Sequence, residues 1–234
     1  MLINIAVPVH NENLVLKENI KKLIDFCARE LKDGWFIVIA DNASTDETGN
    51  TAIKLCSQGD KLKYIFIPKK GKGLAIKTAW QKFPVDYFIF MDADLSTDLS
   101  ALPRLVEELK NNADIVIGSR NLSDSRTNRS LLRRVISKIN QYFIAHWLNL
   151  PLTDFSCGFK GINQKIIQNI LPLVKNQQWF FDTELLCRAR RASYVIKEIP
   201  VIWTETLNQK RKSKVGLIRV GWEYLKEITK NRPK

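Results

Sequence analysis

The chain has 234 residues, 45% hydrophobic and 26% charged, and carries a formal net charge of +13. That length can bury one sizeable core, the apolar fraction excludes a disordered chain, and no uncharged apolar run approaches the roughly 20 residues that a membrane-spanning helix requires. The positive balance predicts attraction to polyanions and leaves nucleic acid, anionic lipid and phosphorylated substrates all open.

The first stretch, MLINIAVPVH, lacks a basic leader and a small-residue cleavage site, so it reads as a core strand over 3–9 rather than a secretory signal. Leu16, Ile20, Leu23, Ile24, Cys27 and Leu31 then recur at helical spacing. Strand-like runs follow in WFIVIAD (35–41), LKYIFIP (62–68), DYFIFMD (86–92) and ADIVIGS (113–119), and helical segments fit 45–58, 72–83 and 100–111. Continuous apolar runs suit strands covered on both faces, and this alternation predicts an α/β fold with a mostly parallel sheet flanked by helices. The second half is less regular. A helix is expected over 130–149, a short strand and turn in CGFKGIN (157–163), a helix over 181–192, one strand in YVIKEIPVIW (194–203) and a terminal helix over 215–230. We expect these pieces to form a layer completing the first-half sheet. Cys27, Cys56, Cys157 and Cys187 lack CxxC spacing and read as reduced cytosolic thiols; with only His10 and His146 beside them, a His/Cys zinc site is disfavoured.

In parallel sheets ligands bind beyond the carboxyl ends of the strands, and there the sequence places HNEN, DNASTDE, KKGKG, DADLST and SRN. Asp92 and Asp94 repel each other at the end of FIFMDAD unless a cation joins them or they belong to a solvated turn. A divalent ion that binds through one or two carboxylates and substrate phosphates suits the pair; a turn with Asp94 capping the next helix is the alternative. Asp41 can accept hydrogen bonds from a base or ribose, while Ser44 or Thr45 caps the following helix. KKGKGLA (69–75) lacks the GxxxxGK[ST] spacing, yet its small residues and lysines, Lys72 and Gly73 among them, allow close approach to an anion.

Two basic segments stand out. Between Ser125 and Thr153 there is no acidic residue, while Arg126, Arg129, Arg133, Arg134 and Lys138 fall inside it; KRKSK occupies 210–214. Over 131–148, Leu132, Val135, Ile136, Ile139, Phe143 and Trp147 follow helical spacing opposite Arg133, Arg134, Ser137, Lys138 and Gln141. Such a helix lies in a headgroup region or packs on its own core, and periodicity does not separate the two.

In this order, VPVHNE, ADNASTDET, GKG, MDADLS, GSR, DFSCGFK and FFDTELLCRA…IKEIPVIW…KSK resemble family-two glycosyltransferases, and within them the dolichyl- or polyprenyl-phosphate hexosyltransferases. The resemblance implies a GT-A fold: a Rossmann-like sheet in one domain over 1–234, with a nucleotide-sugar half over 1–120 and acceptor-side elements over 121–234. It implies that Pro8, His10, Glu12, Asp41, Lys72, Gly73, Asp92 and Ala93 surround a nucleotide-sugar, although the family usually has Tyr where His10 stands. Asp92 and Asp94 resemble the metal pair for Mg²⁺ or Mn²⁺, with Ser96 where some mannose synthases offer Gln. Arg120, Arg133 and Ser137 match positions around an acceptor phosphate, and Asp154, Lys160, Glu184 and Lys214 fall in the remaining acceptor-side motifs; Asp92, Asp94, Arg120 and Arg133 are the expected catalytic set.

The implied reaction is an inverting, metal-dependent transfer of one hexose from UDP-glucose or GDP-mannose to polyprenyl or dolichyl phosphate, at the cytoplasmic face of a membrane. Peripheral binding or a small membrane subunit would bring the chain there. A family member with a soluble sugar or protein acceptor is the alternative. Nucleic acid is not an expected partner, because the strand-end carboxylates repel phosphates without metal and no recognised binding motif is present.

Overall fold

A computed structural model describes residues 1–128, 141, 144–146, 148–204 and 227. Nine strands and six helices are assigned among them: β1 (Leu2–Val9), α1 (Asn13–Glu30), β2 (Gly34–Asn42), α2 (Thr48–Cys56), β3 (Leu62–Ile67), α3 (Lys72–Lys82), β4 (Tyr87–Met91), α4 (Ala101–Lys110), β5 (Ile115–Ser119), β6 (Arg126–Asn128), β7 (Phe159–Asn163), α5 (Gln164–Asn169), α6 (Phe181–Arg191), β8 (Ile196–Pro200) and β9 (Ile202–Thr204). A 3₁₀ turn at Leu171–Leu173 separates α5 from α6.

Seven strands form one sheet in the order β3-β2-β1-β4-β7-β5-β8. Every neighbouring pair is parallel except those made by β7, which runs antiparallel between β4 and β5. The predicted mostly parallel sheet is therefore present, and its first five strands lie within two residues of their expected bounds. The second half completes the first-half sheet, as expected, and does so by inserting β7 into its middle and adding β8 at its edge. Because β7 runs backwards, its beginning, not its end, meets the carboxyl rim where β1, β2, β3 and β4 finish.

Side-chain alternation divides the core in two. Ile3, Ile5, Val7 and Val9 of β1 face α1, α2 and α4, packing with Leu16, Ile20, Leu23, Leu102 and Leu105. Ala6, Val38, Phe88 and Phe90 face α3, α5 and α6, where Trp80 is fully buried against the Phe88, Phe90 and Phe181 rings. Both faces of the sheet are covered, which is why its strands read as unbroken apolar runs.

The expected single strand over 194–203 is two. Pro200 ends β8, and after Val201 the chain enters a separate ribbon in which β9 pairs in parallel with β6. That ribbon closes over the loop after β4: Asp98 N–H donates to Ile202 O at 2.9 Å and Thr204 N–H to Ser96 O at 2.9 Å. The helices expected over 130–149 and 215–230 fall largely outside the described residues.

Candidate active site

Three rim loops are laced together by side chains. Asn11 stands in the left-handed region with φ 53°. Its N–H donates to Ser44 Oγ at 3.0 Å and its Oδ1 accepts from Thr45 N–H at 2.7 Å, joining the loops after β1 and β2. His10 Nδ1 lies 2.9 Å from Asn42 O. Asn42, 7% exposed, donates from Nδ2 to Lys69 O at 2.8 Å and accepts at Oδ1 from Gly71 N–H at 2.7 Å, so it ties the loop after β3 to the other two. Ala43 and Leu95 also take positive φ, of 56° and 50°. Left-handed backbone costs such residues about 1–2 kcal/mol each; Asn112, Asn149 and Ser193 adopt it elsewhere among the described residues.

Within this frame Asp41 is 1% exposed. Its Oδ1 accepts from Ser44 N–H at 3.0 Å and its Oδ2 from the Tyr64 hydroxyl at 2.9 Å, which fixes the carboxylate plane. Burial, reinforced by the Asp41 charge and hydrogen bond, pushes the Tyr64 phenol up to about 12. Glu12 is buried at the start of α1, where its N–H donates to Thr48 Oγ1 at 2.8 Å, and Pro8 is half-buried on β1.

Asp92 follows β4 directly. Its N–H donates to Gly158 O at 3.0 Å, just before β7, and Lys72 Nζ reaches its Oδ1 at 2.7 Å. A Cβ on Gly158 would stand 1.8 Å from Asp92 Oδ2, so any side chain there would push this carboxylate out of its place. Asp94 Oδ1 accepts from Ser96 N–H at 3.1 Å, a turn bond that aims the chain into α4. Asn19 Nδ2, from α1, clamps Ala93 O at 2.8 Å. Among the described residues no group of three or more His, Cys, Asp or Glu surrounds the pair. Two partly exposed carboxylates nevertheless fit Mg²⁺ or Mn²⁺, ions that take few protein oxygens and complete their shell with phosphate and water. A void of about 10 Å³ lined by Asp92, Ser96, Thr97 and Gly158 is about the size of one water. A larger cleft of about 630 Å³ runs between the charged outer face of α1 and the loop after β4, where Asp94, Leu95, Asp98 and Leu99 line it.

On the far side of β4, Arg120 pairs with Asp154 through two parallel bonds, Nε–Oδ2 at 2.6 Å and Nη2–Oδ1 at 2.7 Å. Nη2 also donates to Ser156 Oγ at 2.9 Å, and the Trp203 ring lies 5.8 Å from the guanidinium carbon. Burial works to raise the Asp154 pKa, but the Arg120 charge and hydrogen bonds outweigh it and hold the carboxyl at about 2; Asp154 in turn keeps Arg120 above its ordinary value.

Other expected site residues have interior partners. Gly73 lies against Phe181, where an added Cβ would meet the Phe181 Cβ at 2.4 Å, and the opening N–H groups of α3 at Gly73 and Leu74 donate to Gln178 O and Gln177 O. Lys160 is fully buried; its ammonium donates to Cys157 O and lies 3.2 Å from Asp182 Oδ1. Glu184 accepts from Lys175 N–H and Asn176 N–H at 3.0 and 2.7 Å and from Arg188 Nε at 2.7 Å, bracing the loop before α6. Arg133, Ser137 and Lys214 lie outside the described residues. Asn42 and Asn11 are the rim residues that sequence reading did not single out, each resembling an ordinary turn residue; Gly158 is legible only as part of DFSCGFK, without its contact to Asp92.

Comparison with known proteins adds to this geometry. The profile of glycosyl transferase family 2 matches residues 4–171. The chain is 28% identical over 220 residues to glycosyltransferase AglD of Haloferax volcanii, covering 93% of this chain and 35% of that protein, so it spans about a third of this relative. It is 27% identical over 241 residues to the dolichyl-phosphate beta-glucosyltransferase of Saccharomyces cerevisiae, covering 94% of this chain and 72% of the other. Among solved structures, glucosyl-3-phosphoglycerate synthase from Mycobacterium tuberculosis in complex with UDP superposes with a TM-score of 0.72 at 16% identity, over 100% of this chain and 81% of that one. The mannosyltransferase PcManGT from Pyrobaculum calidifontis in complex with GDP-Man and Mn²⁺ gives a TM-score of 0.60 at 16% identity, over 89% and 57%. At those identities the likeness is one of fold, and the fold is GT-A.

Proposed function

The chain belongs to glycosyl transferase family 2, and on that premise we propose that it moves one hexose from a nucleotide-sugar, UDP-glucose ahead of GDP-mannose, to the phosphate of a polyprenyl or dolichyl lipid. The observation that supports this most is the rim itself: Asp92 and Asp94 close β4 beside the Lys72 ammonium, next to the laced loops that hold Asp41. The relatives named as dolichyl-phosphate glucosyltransferases favour the lipid acceptor and tilt the sugar toward glucose.

In this reading Asp41, held flat by Ser44 and Tyr64, accepts hydrogen bonds from the ribose or base, with His10, Glu12 and Pro8 around it. Lys72 faces the diphosphate. Asp92 and Asp94 would hold Mg²⁺ or Mn²⁺, which when bound would supply positive charge to offset that of the nucleoside diphosphate. A phosphate monoester has a second pKa of about 6, so the attacking oxygen is already ionised near neutrality and needs no strong general base. Positioning therefore carries most of the rate. The acceptor oxygen attacks the anomeric carbon in line, the bond from that carbon to the diphosphate oxygen breaks, and configuration inverts.

The acceptor side is assigned to Arg120, Asp154 and the two basic segments. Asn128 and Thr204 are register partners at the ends of β6 and β9, so the chain enters 129–140 and 205–226 from neighbouring points, with Thr204 bonded to Ser96 two residues past Asp94. Arg133, Ser137 and Lys214 belong to those segments and are proposed to meet the lipid phosphate, with Lys160 and Glu184 supporting the acceptor side from within. No helix among the described residues is long and apolar enough to cross a membrane, and we assign the protein to the cytoplasmic membrane surface through its basic segments.

The deciding experiment offers labelled UDP-glucose and GDP-mannose to vesicles containing polyprenyl phosphate, with Mn²⁺ or with a chelator. Metal-dependent label in the lipid fraction is expected with the protein alone. Label appearing only in soluble sugar or protein acceptors would reject the lipid assignment, and label appearing only after membrane proteins are added would call for a membrane subunit.

A further inference from the structure

Lys72 occupies an unusual place. It opens α3, where the helix dipole disfavours a cation, and the first turn contains no acidic residue to offset that cost. Its side chain is only 11% exposed, and its ammonium lies 5.3 Å from the Phe90 ring centre and 5.4 Å from that of Trp179. These contacts aim it at Asp92 Oδ1, 2.7 Å away. Helix stability does not account for this arrangement. The partner at the rim does.

Resting on the reading of this rim as the donor site, we propose that Lys72 is an internal counter-cation at Asp92 that makes divalent-ion binding and nucleoside-diphosphate binding mutually dependent. Without an anion, an ion arriving at Asp92 meets an ammonium already in hydrogen-bond contact with the same carboxylate. It must displace the lysine or suffer like-charge repulsion, which is strong at short range in a partly buried site. A diphosphate reverses the sign. It offers oxygens to both cations, so the ion takes Asp92 while Lys72 turns to the anion. Each ligand then lowers the cost of the other, and the coupling is reciprocal. The rim stays largely free of metal until a donor arrives and relaxes again once the product diphosphate leaves.

The test measures Mn²⁺ binding, not turnover, through loss of the free-ion electron paramagnetic resonance signal in the full chain, alone and with UDP or GDP, each read against the same nucleotide without protein. For the unaltered protein we expect the nucleotide to tighten Mn²⁺ on the order of tenfold or more. Lys72→Met is expected to bind Mn²⁺ alone several-fold more tightly and to show a correspondingly smaller nucleotide effect, keeping only the part due to direct ligation of the ion by the diphosphate, whereas Lys72→Arg keeps the unaltered protein's behaviour. Lys70→Met removes one charge from the same loop at an exposed position and is expected to leave Mn²⁺ affinity unchanged. Thermal melting confirms that the variants are folded, and Lys72→Gln substitutes should the methionine variant fail.

Unchanged coupling in Lys72→Met, or the same response in Lys70→Met, overturns the proposal while leaving the metal-dependent transferase intact. Mn²⁺ that binds none of the proteins with either nucleotide overturns both.

Discussion

Arg120 and Asp154 meet as a closed fork inside the protein, with the arginine side chain 11% exposed and the carboxylate fully buried. Asp154 also accepts from Gln141 Nε2 at 2.9 Å, so its oxygens have no need of water. Asp154→Asn strands a buried guanidinium and is expected to cost about 3–5 kcal/mol, read as a loss in denaturation midpoint. The pair also shapes acid stability. The Asp154 pKa falls from 3.8 in the open chain to about 2 when folded, so its contribution is complete above the first value and is lost as pH drops through the second. Denaturant melts between pH 4 and pH 2 should show this slope, and Asp154→Asn should lack it.

Asn42 connects the loops after β1, β2 and β3 through His10, Lys69 and Gly71. Asn42→Ala removes two side-chain hydrogen bonds and is expected to destabilise the fold by about 2 kcal/mol. The functional signature is a larger rise in the donor KM than fall in kcat, measured by steady-state kinetics on both substrates.

Tyr64 should ionise near 12 because burial and Asp41 both oppose a phenolate there. Ultraviolet titration should reveal one late tyrosine that disappears in Tyr64→Phe. The same substitution releases one oxygen of Asp41 and is expected to raise the donor KM by a few-fold, consistent with about 1 kcal/mol for the lost bond.

Asp94→Asn keeps the Ser96 turn bond, since an amide oxygen can still accept it, but removes a charge from the ion site. Turnover is expected to fall by roughly a hundredfold or more, in line with losses of charge stabilisation elsewhere, while the melting temperature stays within a few degrees. Wild-type activity in this variant would refute the metal assignment.

Arg133→Ala tests the acceptor side. The apparent KM for polyprenyl phosphate should rise by at least tenfold, the scale of one lost charge-assisted phosphate contact, with the donor KM unchanged. Equal changes in both would remove Arg133 from acceptor recognition.

The first five strands and the rim loops were legible because a sheet covered on both faces writes long apolar runs, and polar residues interrupting them at one end announce a ligand edge. The carboxylates expected at an ion and at a base or ribose are read from their places at strand ends and sharpened by the resemblance, and the structure gathers Asp41, Lys72, Asp92 and Asp94 on one rim. Less legible was everything that depends on long-range pairing. CGFKGIN reads as a strand, yet nothing in its pattern says that Lys160 will stand opposite Phe90 on one side and Ile117 on the other. YVIKEIPVIW reads as one strand because apolar residues continue past Pro200, whereas the chain changes sheets there. Asn42 carries no local mark, and Gly158 only its place in DFSCGFK, since their importance lies in a Gly71 amide and an Asp92 carboxylate distant in the chain.

The backward strand β7 has a bearing on biosynthesis. Until residue 163 has been made, β4 and β5 are each missing the neighbour that separates them, and β4 shows an open edge of backbone donors and acceptors. A ribosome translating this message therefore extrudes some forty residues between β5 and the strand that completes it, a span read off their positions. Cutting the gene after codon 120 should yield aggregates rather than a self-standing nucleotide-binding fragment. Splitting it after codon 170 leaves the central pairing whole and is the place to attempt complementation.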